Sequence, residues 1–212
     1  MVDLRALTLD TADVVHALLG DPHLAPAWHH PSALPRLSVG GLAGHLAAQV
    51  FNIEVVLGEP AGGGPVLSVL EHYARATWIG AGLDEPVNVT VRQAGERLAS
   101  GGPEALAADV AAACARLRAA LPGEPAERIV RIPWTGRRLR LDDFLLTRML
   151  EMAVHGDDLA ASAPVATPEY PDAAMAAVLG LLTRLAARRH GPAAVLRAFS
   201  RPERASGPIA AI

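Results

Sequence analysis

The sequence predicts an all-α fold: a bundle of helices interrupted by one short β-hairpin and followed by extra C-terminal helices. Three observations carry this expectation. Apolar residues recur at helical spacing through residues 38–57 and 144–159. Residues 104–121 form a third long, Ala-rich stretch that ends at Pro122-Gly123. Alternation with a period of two, the mark of strands, is clear only around residues 128–141.

Taken in order, residues 8–19 read as the first helix, with Thr8 or Asp10 as N-cap and Val14, Val15, Leu18 and Leu19 as its apolar face. Gly20, Asp21 and Pro22 end it. Pro26, Pro31 and Pro35 then hold a loop that carries Trp28, His29 and His30. Ser38 is the expected N-cap of the second helix, whose stripe is Leu42, Leu46, Val50, Ile53 and Leu57. Gly58, Glu59 and Pro60 stop it. Residues 66–79 read as a third helix. Residues 85–98 read as another, with Val87, Val89, Thr90 and Val91 making strand a competitor. After the Ala-rich helix, residues 128–134 and 137–141 flank Thr135-Gly136 as a hairpin. Asp142 or Asp143 is expected to cap the helix that follows. Beyond Pro164 and Pro168, residues 172–189 and 192–199 read as a last helical pair, with a frayed tail from Pro202. The expected division is a metal-binding bundle at 1–165 and a helical extension packed on it at 166–212.

With 212 residues, 51% hydrophobic composition and a mean hydropathy of +0.25, the chain can build a sizeable core. A net charge of -3 provides no electrostatic ground for nucleic acid or an anionic membrane as partner. All 19 basic residues are arginine, which with the abundant Ala, Gly and Pro suggests a GC-rich source. The single Cys114 excludes an internal disulfide and a Cys-rich zinc site, and reads as a small buried helix residue. The N-terminal residues lack the pattern of a signal peptide, and no run approaches the roughly 18 apolar residues of a membrane span. The expected location is the cytoplasm, as a monomer or homodimer.

The chemistry concentrates on two helices. In residues 144–159, Leu145, Met149, Met152 and Leu159 share an apolar stripe, and beside it Glu151 and His155 lie one turn apart on one flank. A carboxylate and an imidazole so placed can reach one metal ion, and His45, mid-helix in the second helix, is the best third ligand. Such a set around Zn²⁺ leaves a net charge of +1 and an open position, enough to polarise a bound water or thiol. Asp158, three residues after His155, can orient that imidazole or act on substrate. Arg148, one turn before Glu151, can pair with it, meet an anion, or face solvent. Gln49 and Asn52 follow His45 at helical spacing and can line a wet cavity beside it, as can His72 and Tyr73.

The segments SVGGLAGHLAAQ and RMLEMAVHGDDLA, with PWTG at 133–136, resemble the mycothiol-dependent maleylpyruvate isomerase family within the DinB/YfiT-like metalloenzymes. The resemblance implies a DinB/YfiT-like four-helix bundle with zinc held by His45, Glu151 and His155. It also implies mycothiol, a low-molecular-weight thiol of actinobacteria, as co-substrate, and a role in activity for Asp158. The isomerases proper carry a larger α/β domain after the bundle that supplies an active-site arginine. Residues 166–212 read as helices instead, so the expectation covers a thiol transferase as well as an isomerase. In either case the electrophile is expected beside Gln49 and Asn52. The rival readings are a thiol-independent zinc hydrolase with Asp158 as base, and a non-catalytic bundle that binds metal or ligand.

Overall fold

Helix α1 (Leu4–Leu19) begins a turn before the expected start, because Asp3 is its N-cap and accepts from the Arg5 and Ala6 amides. Thr8 does not cap it; its hydroxyl donates back to the Leu4 carbonyl at 2.6 Å, inside the helix. The computed structural model describes residues 3–125, 127–205 and 207–212. After the four-residue helix α2 (Leu24–Ala27), Trp28 turns inward and is buried, while His29 and His30 are exposed. The Trp28 indole lies where a Cβ on Gly40 would stand, 2.7 Å away, so the loop packs directly on the next helix.

That helix, α3 (Val39–Gly58), is capped by Ser38 as expected, its hydroxyl accepting from the Gly41 amide. A carboxylate reinforces the cap: Glu96 accepts from the Ser38 amide at 3.0 Å and the Ser38 hydroxyl at 2.9 Å. Leu42, Leu46, Val50 and Ile53 are fully buried. By length and composition α3 could cross a membrane, yet 67% of its apolar window is buried inside this protein, as in a core helix.

The expected helix over residues 66–79 contracts to α4 (Val69–Ala74). The reason is tertiary. Leu67 donates its amide to the Arg138 carbonyl instead of entering a helix, and Ser68 then caps α4 in a box with Glu71. At the other end, the Arg137 guanidinium takes the His72 and Arg75 carbonyls, closing the last turn. Helix α5 (Pro86–Leu98) settles the strand alternative in favour of helix, and α6 (Pro103–Ala120) follows. Cys114 is buried there, its thiol near the Ala12 carbonyl, and burial pushes its pKa up.

Strands β1 (Ile129–Arg131) and β2 (Arg138–Arg140) pair antiparallel, Val130 opposite Leu139, around a turn with Gly136 at φ 69°. The ladder runs straight into α7 (Leu141–Ser162): the Leu141 amide donates to the Arg128 carbonyl. Neither Asp142 nor Asp143 is the cap, therefore. Both sit in the first turn, where the helix dipole favours their charge.

Helices α1 and α3 each pack on both α6 and α7, closing a ring of four helices around the core. Helix α5 lies on α3 at very close range; a Cβ on Gly44 would fall 2.1 Å from the Gly95 carbonyl oxygen. Helix α8 (Asp172–His190) packs on α7, α1 and α4, adding Val178 and Leu181 to the core, and α9 (Pro192–Ser200) folds back on α8. The described part of the tail is not frayed. The His190 ring donates to the Ala210 carbonyl at 2.7 Å, and Ala211 and Ile212 pack against the core.

Candidate metal centre

The α3–α7 contact places the chemistry. Helix α3 contributes His45 and Gln49; α7 contributes Arg148, Glu151, His155 and Asp158. The register of each helix is set by its apolar stripe: Leu145, Met149, Met152 and Leu159 of α7 are all fully buried. Glu151 and His155 therefore project sideways into the seam, where His45 meets them. One ligating atom from each of the three lies within 4.8 Å of the others. The His45 and His155 rings stand edge to face with centroids 4.6 Å apart.

His155 is held at both nitrogens. Its Nε2 lies 3.2 Å from Glu151 Oε2, and its Nδ1 lies 2.9 Å from Asp158 Oδ2. Burial alone would depress its pKa, but the hydrogen bonds to Asp158 and Glu151 override it and raise the imidazole to about 9. Glu151 responds in the opposite sense. Burial opposes its charge, yet the hydrogen bond and charge of His155 hold it at about 2. His45, without a carboxylate partner at hydrogen-bond range, is pushed down to about 4 by burial and by the neighbouring His155 charge. The metal-free site thus contains a neutral His45, a carboxylate and an imidazolium, with one proton lying between Glu151 and His155.

That donor set suits a metal ion. Replacing the shared proton leaves two neutral imidazoles and a carboxylate converging on one point, and Asp158 already accepts from the far nitrogen of His155. Tyr170 steadies this part of α7 from the α7–α8 connection, donating to the Met152 carbonyl at 2.8 Å. Gly156 makes room for it, since a Cβ there would stand 2.1 Å from the Tyr170 oxygen.

Gln49 is 2% exposed and does not project freely into a cavity. Its amide nitrogen donates to the His45 carbonyl at 2.9 Å, and its oxygen accepts from Arg148 Nη1 at 2.5 Å. Asn52 is half-buried on the same flank, and no hydrogen bond among the described residues joins it to this group. Arg148 makes no ion pair with Glu151; it lies over the Phe144 ring, 5.2 Å from its centroid. His72 and Tyr73 are buried. The Gln49–Arg148 link is the contact that spacing alone misses, because the partners come from different helices.

Fold and site define a helical protein with a His/Glu/His cluster, between two core helices, that could hold a metal ion. The pattern of the mycothiol maleylpyruvate isomerase N-terminal domain matches residues 8–160, a span that includes all three residues and Asp158, and the chain belongs to that family. No curated protein and no solved structure gives a significant match.

Proposed function

We propose that the protein is a zinc-dependent mycothiol transferase or isomerase acting on a small electrophile, on a DinB/YfiT-like four-helix bundle spanning residues 1–165. The observation that carries this reading is the convergence of His45, Glu151 and His155, backed by Asp158 on the outer nitrogen of His155. Zinc held by these three would supply Lewis acidity that favours a thiolate over a thiol near neutral pH. The chain's own residues do the rest. Asp158 accepts the His155 Nδ1 proton and so turns the Nε2 lone pair inward, which makes it a positioning residue. Gln49 fixes the His45 backbone and holds Arg148 beside the site, while Asn52, half-buried on the same flank, is the amide offered to a ligand. The buried apolar walls of α3 and α7 keep the dielectric low, which strengthens each of these interactions.

The thiol sulfur of mycothiol then forms a bond to the electrophilic carbon. Addition to a cis double bond allows rotation and elimination, returning the thiol and giving isomerisation. Opening of an epoxide leaves an alkoxide that takes a proton, and displacement of a halide expels the anion; both give a stable thioether. Use of a low-molecular-weight thiol as co-substrate supports the cytoplasm as the setting for this work.

Titration of zinc-loaded protein with mycothiol tests the reading. Saturable binding that is lost in His155→Ala supports it. Zinc-loaded protein that binds no mycothiol, or that turns over substrate without any thiol, overturns it and favours the hydrolase.

A further inference from the structure

The loop ahead of α3 is tightly built. The Ser32 amide donates to the Leu37 carbonyl at 2.9 Å, Pro31 bridges to Ser38, and the Ser162 hydroxyl of α7 accepts from the Ala33 amide at 2.8 Å. Within this frame Arg36 sits at φ 63°, a left-handed conformation that residues other than glycine seldom adopt. Glycine takes that φ without cost; an arginine there sets a guanidinium beside α5.

A cleft of about 470 Å³, open to solvent, lies where that loop meets α5. Val89, Gln93 and Arg97 line it at successive turns of the helix, with Arg92 and Glu96 alongside, and Arg36 completes the lining. Its size falls within the about 300–1,000 Å³ of small-molecule sites.

The arginines of this cleft differ from most others in the chain. Arg116 is paired with Glu54, Arg118 with Asp13, and Arg128 and Arg138 hold loop carbonyls. Arg92 and Arg97 make no side-chain hydrogen bond or ion pair among the described residues; the Arg97 carbonyl alone is used, by the Ser100 hydroxyl. Arg36 pairs with Asp84, an exposed carboxylate that leaves further guanidinium N–H groups open. Glu96 is committed elsewhere, its two oxygens accepting from the Ser38 amide and hydroxyl. Three guanidiniums against two carboxylates leave the cleft net positive, in a chain whose total charge is -3. Such a surface repels a long polyanion overall, whereas a compact anion is drawn to the local charge. Guanidinium forks match the oxygens of a phosphate, and Val89 with the aliphatic stems of the arginines gives an apolar wall for a small body attached to it.

We propose that this cleft binds a small phosphorylated molecule, its phosphate held by Arg36, Arg92 and Arg97 and its body laid on Val89. No residue of the metal triad lines it, so it requires neither metal nor thiol. The two sites share a helix contact all the same. Gly95 of α5 comes so near α3 that a Cβ there would stand 2.4 Å from the Gly41 carbonyl oxygen and 3.3 Å from the His45 amide. An occupant of the cleft thus rests on the helix that backs His45.

Inorganic phosphate and phenyl phosphate are the probes, titrated calorimetrically into metal-free protein at pH 8 and low ionic strength, where both are dianions. Saturable binding of one phenyl phosphate per chain is expected, tighter than that of inorganic phosphate because the ring covers Val89, and weakening as salt is added. Arg92→Gln should weaken it by about tenfold, and Arg97→Gln and Arg36→Gly by about threefold each, since those two side chains are the more exposed. Glutamine keeps the helix propensity of α5 and glycine relieves the φ at position 36, so none of the three changes threatens the fold. Arg197→Gln, on α9 and outside the cleft, removes the same charge and should leave binding unchanged. The site is overturned by an absence of saturable binding in the millimolar range, by undiminished binding in any of the three variants, or by an equal loss in Arg197→Gln. Phenyl phosphate binding no tighter than inorganic phosphate overturns it as well.

Discussion

The proton shared by Glu151 and His155 competes directly with any metal, and the competition has a calculable size. With His155 raised to about 9, the imidazole is almost wholly protonated at neutral pH. One proton must leave for its Nε2 to become a ligand, so the apparent zinc affinity should rise about tenfold per pH unit up to about pH 9. At pH 7 this weakens binding by about a hundredfold relative to a site with a free imidazole. His45, already neutral above about 4, adds no second proton in this range. Calorimetric titration of zinc at pH 7 in buffers of different ionisation enthalpy counts the protons released, and about one is expected. The same shift fixes the pH dependence of the metal-free fold. A folded pKa of about 9 above an unfolded value near 6.5 means the pair's contribution is complete below 6.5 and lost as pH rises through 9. The depressed Glu151 gives the acid limit: its contribution is present above 4.5 and lost as pH falls through about 2. The two shifts overlap in the Glu151–His155 contact and are not summed, Asp158 contributing separately to that of His155. Zinc binding that releases no proton and keeps a flat affinity between pH 6 and 8 would refute the shared-proton state.

Elemental analysis should find about one zinc per wild-type chain and a large loss in His155→Ala, as expected when one of three catalytic-site ligands goes. Asp158→Asn should cost about 10- to 100-fold in zinc affinity while the fold survives, measured by competition with a chromophoric chelator. Gly95→Ala should destabilise the protein by about 1–3 kcal/mol in urea unfolding, because its Cβ would lie 2.4 Å from the Gly41 carbonyl and only backbone can yield. Gly156→Ala should be milder in stability but should loosen Tyr170 from Met152, seen as faster exchange of the amides in the last turns of α7.

Much of this arrangement is legible from the residues because the determinants are local. Ser38 caps α3 through its own hydroxyl, and the apolar stripe of α7 sets which flank Glu151 and His155 share; both are readable from neighbours within a few positions. The hairpin is readable from its alternation and from Thr135-Gly136 at the turn. The failures are of the opposite kind. Helix α4 is shorter than its sequence allows because Arg138 draws Leu67 into a strand-like pairing and Arg137 takes the carbonyls that a longer helix would use. Glu96 reinforces the cap of α3 from another helix, and Tyr170 clamps α7 from beyond its end; neither has a signal in the segment it stabilises.

The same distinction explains which parts of the site spacing could reach. Glu151, His155 and Asp158 lie on one helix, so their mutual geometry follows from the helical repeat once α7 is recognised. His45 enters from α3, and its distance from them depends on how deeply the two helices interlock. Directly beside His45, Gly44 and Gly95 let α5 approach α3 to backbone contact. Gln49 spans the α3–α7 contact through Arg148, so the residue that holds the His45 carbonyl also holds the Arg148 guanidinium. The positions of His45 and Arg148 are thereby coupled through one buried amide. Displacing Gln49 should disturb both His45 and Arg148, whereas displacing Asn52 should disturb neither.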